Sequence, residues 1–317
     1  MRIVFMGTPD FAAAALKALL DDGRQVVAVV TQPDKPKGRG KQVQPPPVKI
    51  LAEAYQLPVL QPTGIRTEEF LKTLQSLRPD CIVVVAYGKI LPPEILNLPP
   101  MGCINVHASL LPYYRGSAPI HWSVIKGESE TGVTTMFMDQ GMDTGDMILK
   151  KELPIGPDDT VGLVHDRLAA LGAELLVETL DLLEKGMAPR TSQDHGIATY
   201  APLLKKEHEI IDWQQPASTI HNHVRGMNPW PGTYTTLEDK ILKIWQTRIA
   251  ESCPRQAAPG TVLAAGSSGI LVQTGKGQIL ITELQLQGSK RMDVDQFLRG
   301  KQIAPGAVFG NKGVVQS

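Results

Sequence analysis

Cysteine is scarce in this chain of 317 residues, with only Cys81, Cys103 and Cys253. They are odd in number, widely separated and set among apolar neighbours, which suits buried free thiols and excludes both a disulfide framework and a cysteine zinc site. Net charge is lacking too. The 32 basic residues balance 32 acidic ones, so the chain is not one that coats nucleic acid through bulk positive charge, and any polyanion must be held by local patches. No run approaches the roughly 18 to 20 apolar residues of a membrane span, and Met1 to Met6 leads into a strand-like segment without a signal peptide's layout. A cytoplasmic protein with no membrane partner is expected. The loop Gly7-Thr8-Pro9-Asp10-Phe11 lacks the glycine spacing of a dinucleotide fingerprint, which argues against a nicotinamide cofactor.

What is present is an ordinary folded composition, 42% apolar and 20% charged, in a chain longer than one hydrophobic core usually supports, so two domains are expected. In the N-terminal half, β-branched runs at Arg2 to Met6, Gln25 to Thr31, Asp80 to Ala86 and Cys103 to Val106 alternate with helical patterns at Phe11 to Leu20, Val48 to Tyr55 and Glu68 to Leu77. That alternation predicts an α/β fold, a doubly wound, mostly parallel sheet covered on both faces. From Asp159 to Gly186, an apolar stripe of Val161, Val164, Leu168, Leu171 and Leu175 predicts a long helix closing this first domain, residues 1–189. Residues 190–206 have no periodicity and read as a linker. In residues 207–317, a short helix near Ala217 to Arg225 precedes strand-like runs at Gly232 to Thr236, Ile241 to Ile249, Gly260 to Ala264, Gly269 to Thr274 and Ile279 to Leu286. Five short strands with glycine punctuation suggest an OB-like β-barrel domain.

In an open α/β sheet, ligands bind beyond the carboxyl ends of the strands. One such loop begins Asn105-Val106-His107, an amide and an imidazole two residues apart and hence on one side of a strand. A lone histidine there is more often a structural residue. The Gly-rich acidic turn Asp139 to Asp146 could aim a carboxylate at His107; it lacks the distal Glu of a calcium loop, so no metal is expected. The Ala86 to Pro92 segment, with Tyr87 and Gly88, follows another strand and reads equally well as an ordinary turn. Between Gln32 and Lys49 the chain carries Lys35, Lys37, Arg39, Lys41 and Lys49 against the single acid Asp34, a mobile basic loop by composition. Residues 207–317 hold eleven Lys plus Arg and nine Asp plus Glu. That excess is weak, so Lys205, Lys206, Arg225, Lys243, Arg248, Lys290 and Arg291 are candidates for phosphate contact only. Trp213, Trp230 and Trp245 read as core or packing residues rather than base-stacking platforms, and His221 and His223 as interdomain or local hydrogen-bonding groups.

Taken together, Asn105, His107, Ser109-Leu110-Leu111-Pro112, Arg115-Gly116 and Asp143 resemble the formyltransferases that use 10-formyltetrahydrofolate. Gly7-Thr8-Pro9-Asp10-Phe11-Ala12, the Gln32 to Gly40 run and Asn228-Pro229-Trp230-Pro231-Gly232 narrow the resemblance to those acting on methionyl-tRNA, over essentially the whole chain. The resemblance implies a Rossmann-like catalytic domain and a catalytic trio of Asn105, His107 and Asp143. It places Ser109, Leu110, Leu111, Pro112, Tyr87 and Gly88 against the folate cosubstrate. Lys35, Lys37, Arg39, Lys41, Lys205 and Lys206 would then face initiator methionyl-tRNA, with Arg39 near the acceptor end, in a monomeric enzyme. The chemistry is coherent. An amine attacking a formyl carbon drives negative charge onto the formyl oxygen and must shed a proton, needs that fixed donors and an imidazole can meet. The rival readings are a relative formylating a small amine such as an amino sugar nucleotide, a hydrolase releasing formate, and a non-catalytic RNA-binding protein.

Overall fold

The computed structural model describes residues 1–37, 42–250 and 257–310; Arg39, Lys41 and Cys253 lie outside them. Its backbone divides into two compact units, one of residues 1–119, 130–154 and 165–202, the other of residues 120–129, 155–164 and 203–317.

Through the N-terminal half the elements run β1 (Arg2–Gly7), α1 (Asp10–Asp21), β2 (Gln25–Val30), β3 (Lys35–Lys37), β4 (Gln42–Gln44), α2 (Pro47–Ala54), β5 (Val59–Leu60), α3 (Glu68–Leu77) and β6 (Cys81–Val85). There follow α4 (Pro93–Leu96), β7 (Cys103–His107), β8 (Arg115–Gly116), α5 (Pro119–Lys126), β9 (Glu130–Phe137), β10 (Met147–Pro154), α6 (Val161–Glu184) and β11 (Tyr200–Ala201). The main sheet has the order β10-β9-β7-β6-β1-β2-β5. Strands β5, β2, β1, β6 and β7 are parallel, as the alternation of strands and helices requires. The antiparallel extension by β9 and β10 was not expected from the sequence.

Ile3 to Met6 of the central strand β1 are fully buried, as in a sheet covered on both faces. The chain leaves β1 towards β2 and β5, then returns to β6 on the other side of β1. The reversal opens a crevice at the carboxyl ends of β1 and β6. Gly7 closes β1 because a Cβ there would lie 2.7 Å from Ala12 Cβ and 2.9 Å from the Val85 carbonyl oxygen. Helix α3 starts where the Thr67 hydroxyl accepts the Phe70 N–H, with Glu68 and Glu69 favouring its positive end. On α6 the expected stripe buries Val161, Val164, Leu168 and Leu175, while Leu171 is half-buried. Cys81 and Cys103 are buried free thiols, and burial pushes Cys103 up to about 12.

The second unit carries α7 (Ala217–Gly226), β12 (Thr233–Leu237), β13 (Lys240–Ala250), β14 (Val262–Gly266), β15 (Gly269–Gln273), β16 (Gln278–Leu286), β17 (Met292–Asp293) and α8 (Val294–Gly300). Its strands pair antiparallel in the order β12-β13-β16-β15-β14, with β17 on β16, an OB-like barrel arrangement. The β12–β13 hairpin turns at Glu238 (φ 49°) and Asp239 (φ 61°), the paired positive φ values that match strand twist. Leu242, Ile244, Ile270, Val272, Ile279 and Ile281 meet Ile220 and Val224 of α7 in one core.

Two sequence expectations fail in this unit. Trp213 and Trp245 are buried, but Trp230 is 65% exposed, lifted out between Pro229 and Pro231 with its ring edge-on to His121. Arg225, expected to meet phosphate, is buried and donates to the carbonyls of Gly156 and Asp159, so its charge anchors α7 instead. Arg291 is already committed to Glu283 in a 2.5 Å ion pair.

Candidate active site

Strand β7 pairs with β6 through Asn105 and with β9 through Asn105 and His107, so both residues emerge at the sheet's carboxyl end. His107 is buried; its Nε2 lies 3.0 Å from the Tyr114 carbonyl oxygen. A carbonyl only accepts, so Nε2 carries the proton and Nδ1 is the nitrogen free to exchange one. That Nδ1 lies 3.7 Å from Asp143 Oδ1, too far for a direct hydrogen bond. The other carboxylate oxygen, Asp143 Oδ2, accepts the Gly116 N–H at 2.8 Å. Asn105 is half-buried, and among the described residues its side-chain amide has no hydrogen-bond partner.

The loop after His107 is held from beneath. Ser109 Oγ donates to the Tyr113 carbonyl at 2.6 Å, Thr134 Oγ1 donates to the Ser109 carbonyl at 2.7 Å, and the Leu111 N–H donates to Thr134 Oγ1 at 3.1 Å. Lys150 donates to the Leu111 carbonyl, and burial lowers the pKa of its ammonium. Ser109, Leu111 and Pro112 are buried, and Leu110 is half-buried. Leu111 packs with Met136 and Met147, so part of the expected folate loop serves as its own foundation. Three non-glycine residues around this region, Ala86 (φ 45°), Tyr114 (φ 58°) and Asp143 (φ 55°), hold left-handed backbone, which costs energy and persists where surrounding bonds over-determine it. Gly145 has no substitute, since a Cβ would overlap the Phe137 carbonyl.

Other expected residues fall differently. The Tyr87 ring is 1% exposed and lies in the core with Val4, Met6 and Ile82; burial pushes its phenol to about 12. Only its backbone borders the crevice, where its carbonyl accepts from Gln32 Nε2 at 3.0 Å and Thr8 Oγ1 at 3.4 Å. Gly88 is exposed at φ 78°. The basic segment is a loop only in part, because Lys35–Lys37 and Gln42–Gln44 pair as an antiparallel ribbon. Its single acid is taken: Asp34 accepts from Lys49 at 2.8 Å and from Gln61 at 2.6 Å, and these two hold its carboxyl below the usual carboxylate range. Lys49 is thereby removed from the basic surface, whereas Lys35 donates to Gln32 Oε1 at 2.8 Å. Lys205 and Lys206 are exposed. A cavity of about 490 Å³ beside α3 and α4, lined by Arg66, Thr67 and Glu94 among others, contains none of the trio. Among the described residues no His, Cys, Asp or Glu cluster could hold a metal ion, and no helix is long and apolar enough to cross a membrane.

Reading the sequence for function missed three supports: Thr134, the guanidinium of Arg115 and the side chain of Gln193. Arg115 stands in a recognisable motif, but no local pattern marks Gln193.

Comparison with known proteins agrees with this geometry. The formyl transferase model matches residues 1–180, and the model of the formyl transferase C-terminal domain matches residues 203–302. The methionyl-tRNA formyltransferase of Desulforamulus reducens is 71% identical over 313 residues, 99% of each chain. Among solved structures, HypX from Aquifex aeolicus in complex with tetrahydrofolic acid superimposes with a TM-score of 0.63 at 18% identity, over 97% of this chain and 50% of that one. The N-formyltransferase from Helicobacter canadensis, in complex with folinic acid and dTDP-3-aminofucose, gives 0.65 at 17% identity, over 88% of this chain and 98% of that one. These two likenesses extend the shared fold, while the family models cover most of both halves of the sequence, and on that ground the chain belongs to the formyl transferase family.

Proposed function

We propose that this protein transfers the formyl group of 10-formyltetrahydrofolate to the free amino group of initiator methionyl-tRNA. The observation that carries the reading is the 71% identity to a methionyl-tRNA formyltransferase across 99% of both chains. The rival acting on an amino sugar is supported by solved structures at 17 to 21% identity, a level that speaks to fold alone.

The chain's own groups suit the reaction. The crevice at the ends of β1, β6 and β7 offers backbone acceptors and donors around Tyr87 and Gly88 for the edge of a flat heterocycle. As the amine nitrogen bonds to the formyl carbon, negative charge collects on the formyl oxygen, and the partnerless Asn105 amide is the donor assigned to it. The amine loses a proton, the bond from the formyl carbon to the folate nitrogen breaks, and that nitrogen gains a proton. His107, with Nε2 tied to Tyr114 and Nδ1 free beside Asp143, is the group assigned to carry it. Asp143 orients and balances the imidazole. Ser109, Leu110, Leu111, Pro112, Tyr87 and Gly88 shape the folate subsite, chiefly through backbone. Lys35, Lys37, Arg39, Lys41, Lys205 and Lys206 take the tRNA phosphates. The working division is a catalytic domain over residues 1–189, a joining segment over 190–206 and a tRNA-binding domain over 207–317, in a cytoplasmic monomer.

Incubation with formyl-labelled folate and methionyl-tRNA tests the reading. Acid-stable label on the aminoacyl end is expected; label appearing instead on an amino sugar nucleotide, or only as free formate, would overturn it.

A further inference from the structure

Arg115 carries a charge into the interior of the first unit at 1% exposure, and it is met by a neutral amide rather than a carboxylate. Its Nε and Nη2 both donate to Gln193 Oε1, at 3.0 and 2.6 Å. The same amide's Nε2 donates to two carbonyl oxygens of the acidic turn, Asp143 at 2.9 Å and Gly145 at 2.8 Å. This arrangement admits one amide orientation, because the reverse would set an NH₂ against guanidinium donors and an oxygen against two carbonyls.

Arg115 stands at the centre of the segment that holds both members of the imidazole–carboxylate pair. Tyr114, before it, supplies the carbonyl on His107 Nε2; Gly116, after it, supplies the N–H on Asp143 Oδ2. The segment is pinned on its backbone side too, since the Arg115 N–H donates to the Thr199 carbonyl and the Tyr114 N–H to Thr199 Oγ1. Gln193 therefore joins the two loops whose relative placement sets the gap between Asp143 and His107. We infer that Gln193 is a positioning residue for formyl transfer, acting through Arg115 on one side and the Asp143 turn on the other.

The inference rests on the proposed reaction, and its test separates the two. Gln193→Glu keeps and strengthens the acceptor for Arg115, but it places an oxygen against the Asp143 and Gly145 carbonyls, so it breaks one half of the link only. The expected result is a folded protein with a melting temperature near that of the wild type, KM values for folate and tRNA within about threefold, and kcat lowered about tenfold or more, since a misplaced reacting group costs turnover rather than binding. The double variant Arg115→Met, Gln193→Met exchanges the whole polar pair for apolar groups of similar shape, a change interiors tolerate, and should show the same selective loss of kcat. Wild-type kcat in either folded variant would overturn the inference. Loss of melting temperature and active fraction with unchanged kcat per active site would do the same, leaving Gln193 a structural residue. A wild-type protein that formylates no methionyl-tRNA would sink the proposed reaction itself, a different outcome from variants indistinguishable from an active wild type.

Discussion

Two buried histidines, one in each unit, are held in opposite ways. His221 of α7 is saturated: Nδ1 is 3.0 Å from Thr247 Oγ1 and Nε2 is 3.1 Å from the Pro157 carbonyl oxygen. Among the described residues His107 is bonded at Nε2 only, and its Nδ1 faces a carboxylate across 3.7 Å. The same side chain thus serves as a fixed strut in one region and keeps an uncommitted nitrogen in the other. Their surroundings differ likewise. Around α7 the buried polar side chains Asn228, Thr233 and Thr247 hold strands and helix together, whereas beyond β7 the Asn105 amide has no partner among the described residues and left-handed residues accumulate. Saturated polar groups mark scaffold here, and the unsaturated one beside a strained turn is where the proposed chemistry is assigned.

Substitutions can break that contrast. His107→Ala should lower single-turnover formylation by about 10²- to 10⁴-fold while folate binding and melting temperature stay near wild type. Near-normal chemistry would return His107 to the structural class. Asn105→Ala should cost about 10²- to 10³-fold in the same assay, the usual effect of removing one donor from a developing oxyanion; a change confined to KM would instead make the amide a binding group. His221→Ala should leave single-turnover rates within about threefold but destabilise the chain by about 1–3 kcal/mol in denaturant titration, because Thr247 and Pro157 lose a buried partner. A slowed chemical step at unchanged stability would erase the distinction between the two histidines.

The smallest effect concerns pH. Burial holds the His223 imidazole's pKa below its ordinary value; its Nε2 donates to the His208 carbonyl at 2.6 Å, and the nearby His208 ring also disfavours charge. Below a pH of about 6.5 the unfolded chain binds a proton that the folded chain resists, so this contribution is complete above that pH and is lost on acidification. The slope cannot exceed about 1.4 kcal/mol per pH unit for one proton. Melting temperatures should therefore fall less steeply with acidification in His223→Gln than in the wild type, and parallel curves would dismiss the effect.

The sequence displayed the parallel strands well because β1, β2, β6 and β7 are short, continuous β-branched runs between helical patterns. It hid β9 for a physical reason. Glu130–Phe137 is buried almost throughout, so it lacks alternation, and its threonines read as polar although Thr134 and Thr135 are buried with both hydroxyls engaged. The motifs singled out Asn105, His107 and Asp143 together, and in the fold Asp143 Oδ1 lies 3.7 Å from His107 Nδ1; their catalytic role is the proposal that the substitutions above test. The sequence did not show that the Tyr87 ring turns back into the core and leaves only its backbone at the crevice, a choice fixed by the packing around it. Gln193 was invisible: it lies 78 residues from Arg115 in an aperiodic stretch, and only the folded chain brings them together.

The short parallel ribbon of β8 and β11 has a practical meaning for anyone dividing this chain into modules. Arg115 and Gly116 pair with Tyr200 and Ala201, and the Ser117 N–H donates to the Ala201 carbonyl at 3.0 Å. A fragment cut at residue 189 would discard Gln193, Thr199 and Ala201 together, and with them the anchorage of the Tyr114 carbonyl and the Gly116 N–H. One cut after Pro202 would retain them all. Any fragment meant to keep this loop anchored must therefore run past its latch rather than stop at its last long helix.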